Sequence, residues 1–152
     1  MENKRKIDEY IPKAIDSLSK NKKIVINGEI KSGFAGQIAT FSVAVSTGSL
    51  LSAVAFFSEK KQSFVERQEL MNVIYEIITG ESASVNDANN SKAVLLSYVK
   101  KKYEQTHSQK GYAASLLDYG QLQQDILNAA IAVKLAINFF PKAKENKGEN
   151  GR

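Results

Sequence analysis

The chain has no cysteine and no tryptophan, one histidine and two prolines among its 152 residues. Without cysteine there is no disulfide framework, no thiol nucleophile and no cysteine-based zinc site. With His107 as the lone imidazole, neither a multi-histidine metal centre nor a histidine relay is expected. Pro12 and Pro141 stand toward the two ends, so almost nothing between them interrupts a helical run. Arginine is also scarce: Arg5, Arg67 and Arg152 are the only ones, and lysine carries nearly all the positive charge. Bidentate reading of guanine leans on arginine. A lysine-rich chain that meets nucleic acid is therefore expected to hold phosphates and leave sequence reading to another component. The opening residues MENKRKIDEY are charged and lack the apolar run of a secretory leader. The cytoplasm is the default expectation.

Charge itself is missing from one long stretch. No Asp, Glu, Lys or Arg lies between Lys31 and Glu59, although 24% of the chain is charged. Such a segment must be shielded by protein or by lipid. Ile38 to Phe57 has the length of a membrane span. Its middle, however, is Ser46-Thr47-Gly48-Ser49, with Thr40, Ser42 and Ser52 on either side. A buried helix, a polar corner and a second buried helix fit these residues better, over roughly Phe34–Val45 and Gly48–Ser58. The stretch is expected to be the core hairpin, with Phe56 and Phe57 inside, and no membrane association is expected.

Length and an apolar fraction of 43% suit one domain with a real core. We place it at residues 1–141, with 142–152 as a disordered polar tail. Ile7, Tyr10, Ile11, Ala14, Ile15 and Leu18 follow helical spacing, with Pro12 tolerable in a first turn. Ile24-Val25-Ile26 could pass for a strand and Asn27-Gly28 for a hairpin turn, but no second strand is evident. The segment reads as an approach to the next helix. Ser63 and Glu66 form a capping box for a helix placing Phe64, Met71, Ile74, Tyr75 and Ile78 on one face and stopping at Gly80. Glu81–Asn90 reads as a loop. A further helix turns Val94, Leu95, Tyr98, Val99 and Tyr103 inward and ends at Lys100-Lys101-Lys102. After a loop over Gln105–Gly111, the last helix carries a stripe from Leu116 through Tyr119, Leu122, Ile126, Ala129, Ala130, Val133 and Ile137 to Phe140. Gly120 is a possible kink within it. The expected fold is all-α, a compact bundle of about six helices.

No active site emerges. His107 lies in a polar loop with no orienting carboxylate or nucleophile specified beside it. Glu66, Glu69 and Glu76 read as a solvated helix face, and Gly33 and Gly36 lack the lysine-Ser/Thr pair of a phosphate loop. No catalysis, cofactor or metal is expected. What remains is net charge +5, a pI near 9.3 and four basic clusters: Lys4-Arg5-Lys6, Lys20-Lys22-Lys23, Lys60-Lys61 with Arg67, and Lys100-Lys101-Lys102. A basic balance favours anionic partners.

Gly48-Ser49-Leu50-Leu51-Ser52-Ala53-Val54-Ala55-Phe56-Phe57-Ser58-Glu59-Lys60 resembles the signature of the small-subunit family of the Cmr complex, the type III-B CRISPR RNA-guided effector. In that family a glycine closes a helix, and a leucine, a short spacer, an Ala-Leu-Ala-Phe-like run and a Ser-Lys follow. Gly48, Leu50, Ala53, Val54, Ala55, Phe56 and Lys60 fit. The spacing from Gly48 to Phe56 is one residue longer, and Ser52 stands where the family often has glutamine. The alanine-rich closing helix, with Ala130, Ala132, Ala136 and Asn138-Phe139-Phe140, is similar too. The resemblance implies a non-catalytic bundle that stacks in copies beside other Cmr subunits along the guide RNA–target RNA duplex, in antiviral defence. It carries over Lys60 alone as a backbone contact. Charge clustering adds Lys22, Lys23, Lys61, Lys100, Lys101 and Lys102. Two other readings stand beside it. One is a stand-alone DNA-binding regulator, whose recognition helix would be Gly120–Asp125. The other is a helical adaptor that binds protein only.

Overall fold

The structure is a computed structural model and describes residues 2–59, 65–83, 93–106 and 112–143. It is an all-α bundle. The helices are α1 (Glu2–Lys20), α2 (Gly33–Thr47), α3 (Leu50–Phe57), α4 (Val65–Thr79), α5 (Val94–Thr106) and α6 (Tyr112–Ala136), the last running into a 3₁₀ turn at Ile137–Phe139. Among the described residues no helix is long and apolar enough to cross a membrane.

Two helices organise the rest. On α6, Leu122, Ile126, Ala129, Ala130, Ala132, Val133 and Ala136 are buried. α1, α2, α4 and α5 all pack against it, and alanine lets their backbones approach. Gly120 does not break the helix. On α4, Leu70, Met71, Val73, Ile74, Tyr75 and Ile77 are all buried. The single apolar face expected of α4 is thus too narrow, because the helix is surrounded by α1, α2, α3, α5 and α6. Gly80, at φ 76°, closes it as anticipated. Ser63 and Phe64 lie outside the described residues.

The uncharged stretch does form two helices with a corner. Ser49 caps α3 through its hydroxyl, which accepts from the Ser52 amide at 3.2 Å. Phe34, Ile38, Phe41 and Val45 of α2 and Leu50, Ala53, Val54 and Phe57 of α3 are buried. The hairpin is not core throughout. Gly36, Thr40, Val43 and Thr47 on α2, and Ser52, Ala55 and Phe56 on α3, face outward. Thr40, Ser42, Ser46 and Thr47 return their hydroxyls to carbonyls four residues back, which satisfies those polar groups without any partner outside the helix. The expectation that Phe56 is core is wrong: it is 55% exposed while Phe57 is 1% exposed. Phe57 packs edge-on against Phe41, ring centroids 5.1 Å apart.

Three further expectations change. First, α1 begins at Glu2, not near Ile7, so Pro12 lies in the helix interior. Second, a hairpin exists: β1 (Val25–Ile26) pairs antiparallel with β2 (Glu29–Ile30), Val25 opposite Ile30 and Ile26 opposite Glu29. Asn27 and Gly28 both take positive φ, 56° and 79°, as a two-residue type I′ connection requires. Third, Lys142 and Ala143 are not free tail. The Ile30 amide donates to Pro141 O at 3.0 Å, and the Ala143 amide donates to Ile30 O at 2.8 Å. The chain's last described residues thus pair along the edge of β2.

Candidate nucleic-acid interface

The end of α1 is held by one side chain. Asn21 Oδ1 accepts from the backbone amides of Lys23 (2.9 Å) and Ile24 (3.2 Å), and Nδ2 donates to Glu69 Oε1 on α4 (2.8 Å). This turn directs Lys22 and Lys23 outward, where both are exposed. Lys23 Nζ lies 3.5 Å from Glu69 Oε2. Asn21 thus sets the position of the Lys22-Lys23 pair, which charge clustering alone does not reveal. A polar residue closing a helix just before a basic pair was the available signal.

The strand junction then adds lysines from elsewhere in the chain. Ile30 is bonded to Pro141 and Ala143, so Lys31 and Lys142, both exposed, are carried by neighbouring pieces of backbone. Lys20, Lys22, Lys23, Lys31 and Lys142 therefore share the hairpin end of the bundle. Asp16, Glu69, Glu76 and Glu81 line the same groove as Lys20, Lys22 and Lys23. Of these five lysines, Lys23 is the one within ion-pair distance of a described carboxylate.

The α5 lysines behave differently. The helix does not end at these lysines: it continues to Thr106 and has no basic residue in its last turn. Consecutive helical residues stand about 100° apart, and Lys100, Lys101 and Lys102 fan around α5. Lys100 Nζ pairs with Glu104 Oε2 at 2.7 Å. Lys102 is half-buried, its ammonium 5.8 Å from the Tyr98 ring centre. Lys101 alone is exposed without such a neighbour. Tyr103, expected inside, is 38% exposed. The described hydrogen bonds, ion pairs and ring contacts join no α5 lysine to Lys22 or Lys23. Lys60, Lys61 and His107 lie outside the described residues.

A groove of about 760 Å³ runs between α1 and α4, lined by Lys13, Ser17, Lys20, Glu69, Glu76 and Ala83 among others. Its inner carboxylates are occupied by the fold. Glu76 Oε1 accepts from the Ser17 hydroxyl at 2.5 Å and Oε2 from the Ala83 amide at 2.9 Å. Glu69 is held by Asn21 and Lys23. No group of three or more His, Cys, Asp or Glu among the described residues could hold a metal ion. The amides of the supposed recognition helix are also spent internally. Gln121 donates to Asp125, Gln123 to Val45 O, and Gln124 to Asn128.

Compared with family models, curated proteins and solved structures, the chain has no match.

Proposed function

We propose that this chain is a non-catalytic small subunit of a type III-B CRISPR (Cmr) ribonucleoprotein effector, which holds the backbone of the guide RNA–target RNA duplex through lysines. The observation that carries the reading is the hairpin end of the bundle, where Lys20, Lys22, Lys23, Lys31 and Lys142 gather with Lys23 alone in ion-pair contact with a described carboxylate. Exposed ammonium groups bind phosphates by releasing counterions and read no sequence. That is the task left to a protein when base pairing selects the target. The outward face of α2 and α3, without a charge from Gly33 to Phe57, supplies the complementary property. Copies of a chain with net charge +5 can approach one another or other subunits there without burying charge.

Purification of the tagged chain from its native host, with mass spectrometry of partners and extraction of nucleic acid, tests this. The expected result is short RNA of uniform length together with large RNA-processing subunits. Duplex DNA without partners would replace the reading with a DNA-binding regulator, and protein partners without nucleic acid with an adaptor.

A further inference from the structure

Phe139 is the most exposed large apolar side chain among the described residues, at 66%. It sits at the end of α6, two residues before the carbonyl of Pro141 that accepts from Ile30. Its ring meets that of Phe140 edge-on, centroids 5.2 Å apart and planes at 85°, and Phe140 is buried. An edge-on contact covers at most one face of a ring. Phe139 is therefore propped by the core and open to solvent, at the same end of the molecule as Lys31 and Lys142. An exposed aromatic among solvent-facing lysines is the arrangement that binds unpaired nucleotides: the ring stacks on a base and the ammonium groups take the flanking phosphates.

We propose that this end of the bundle binds single-stranded RNA, with Phe139 stacking on one unpaired base and Lys31 and Lys142 holding its backbone. The inference rests on the RNA reading above and adds to it a ligand other than the duplex. Charge decides the occupant, since a protein segment covering Phe139 would have to be acidic to sit among these lysines, whereas every nucleotide brings its own phosphate. Because any base offers a π-face, the contact is indifferent to sequence.

Binding of a fluorescently labelled single-stranded RNA to the full chain, followed by anisotropy over a salt series, tests it. Phe139→Ala should weaken binding by about 5- to 150-fold, the range of one stacked base. Its unfolding transition should stay unchanged, because the side chain is mostly outside. Phe139→Trp should keep the affinity. In a chain otherwise without tryptophan, its emission should be quenched when RNA binds. Lys31→Gln and Lys142→Gln should each reduce the slope of log affinity against log salt by about 0.7. Unquenched emission with RNA bound would overturn the stacking. A slope lowered by Lys101→Gln but not by Lys31→Gln or Lys142→Gln would move the phosphates to α5 and overturn this site, with RNA binding intact. No RNA binding by the wild-type chain at low salt would overturn it as well. The subunit reading is judged separately, by co-purification.

Discussion

At the scale of single residues, Phe56 and Phe57 show how one step along a helix changes a side chain's part. Phe57 fills the space beside Phe41, whereas Phe56 stands outside, and the Arg67 guanidinium lies 5.0 Å from both ring centres. Arg67 is itself positioned by Gln37, whose Oε1 accepts from Nε at 2.8 Å. Phe57→Ala is expected to cost about 3–5 kcal/mol, the usual range for a buried phenylalanine. Phe56→Ala should cost about 1 kcal/mol, from a partly desolvated cation–π contact. Denaturant unfolding of the two variants checks the order, and equal losses would mean that both rings are core. Composition marked this pair as apolar, but the choice between them depends on the rotation of α3, which a run of Ala, Val and Phe leaves open. The one-residue offset from the Cmr-like pattern falls at the same place.

At the scale of elements, α1 carries a cost that its sequence made visible but misplaced. The apolar spacing from Ile7 is real, yet the helix extends to Glu2, and near its start Asn3 Oδ1 accepts from Asn128 Nδ2 of α6 at 3.3 Å. Pro12 is thereby moved from a tolerated first turn to the interior, where it supplies no amide to the carbonyl of Asp8. Pro12→Ala should raise stability by about 1–2 kcal/mol, the restored bond being partly offset by a more flexible unfolded chain. A higher thermal midpoint with unchanged helicity is the expected measurement, and a lower midpoint would show that the proline is needed where it stands. The small hairpin was missed for a related reason. A strand of two residues has no period to read, and Asn27-Gly28 carried the only local signal. Its second strand is defined mainly by what crosses to it from Pro141 and Ala143.

At the scale of the whole molecule, three tyrosines packed between helices tie stability to alkaline pH. Burial, reinforced by the nearby carboxylates of Asp125 and Glu9, pushes the Tyr10 phenol up to about 12. Burial raises Tyr75 and Tyr119 in the same direction. The unfolded chain loses these protons near pH 10 while the folded chain keeps them. Stability is therefore complete below about pH 10 and falls as pH rises toward about 12, by about 2 kcal/mol from Tyr10. Tyr10→Phe should flatten that decline in denaturant midpoints measured across this window, and an undiminished decline would assign it to other groups. The same scale decides the candidate interface. Helix number, a polar corner within Ser46–Ser49, the stop at Gly80 and the closing stripe of α6 were legible in the sequence, because periodicity and capping are local properties. So was the lysine-rich, arginine-poor character that points to phosphates rather than bases. Only the tertiary structure decided which lysines meet. It spread Lys100, Lys101 and Lys102 around α5, and it carried Lys142 to Lys31 through two backbone hydrogen bonds across more than a hundred residues. The physical reason is range: spacing along a helix fixes which face a residue takes, but the packing of faces and the pairing of distant backbone fix which charges become neighbours.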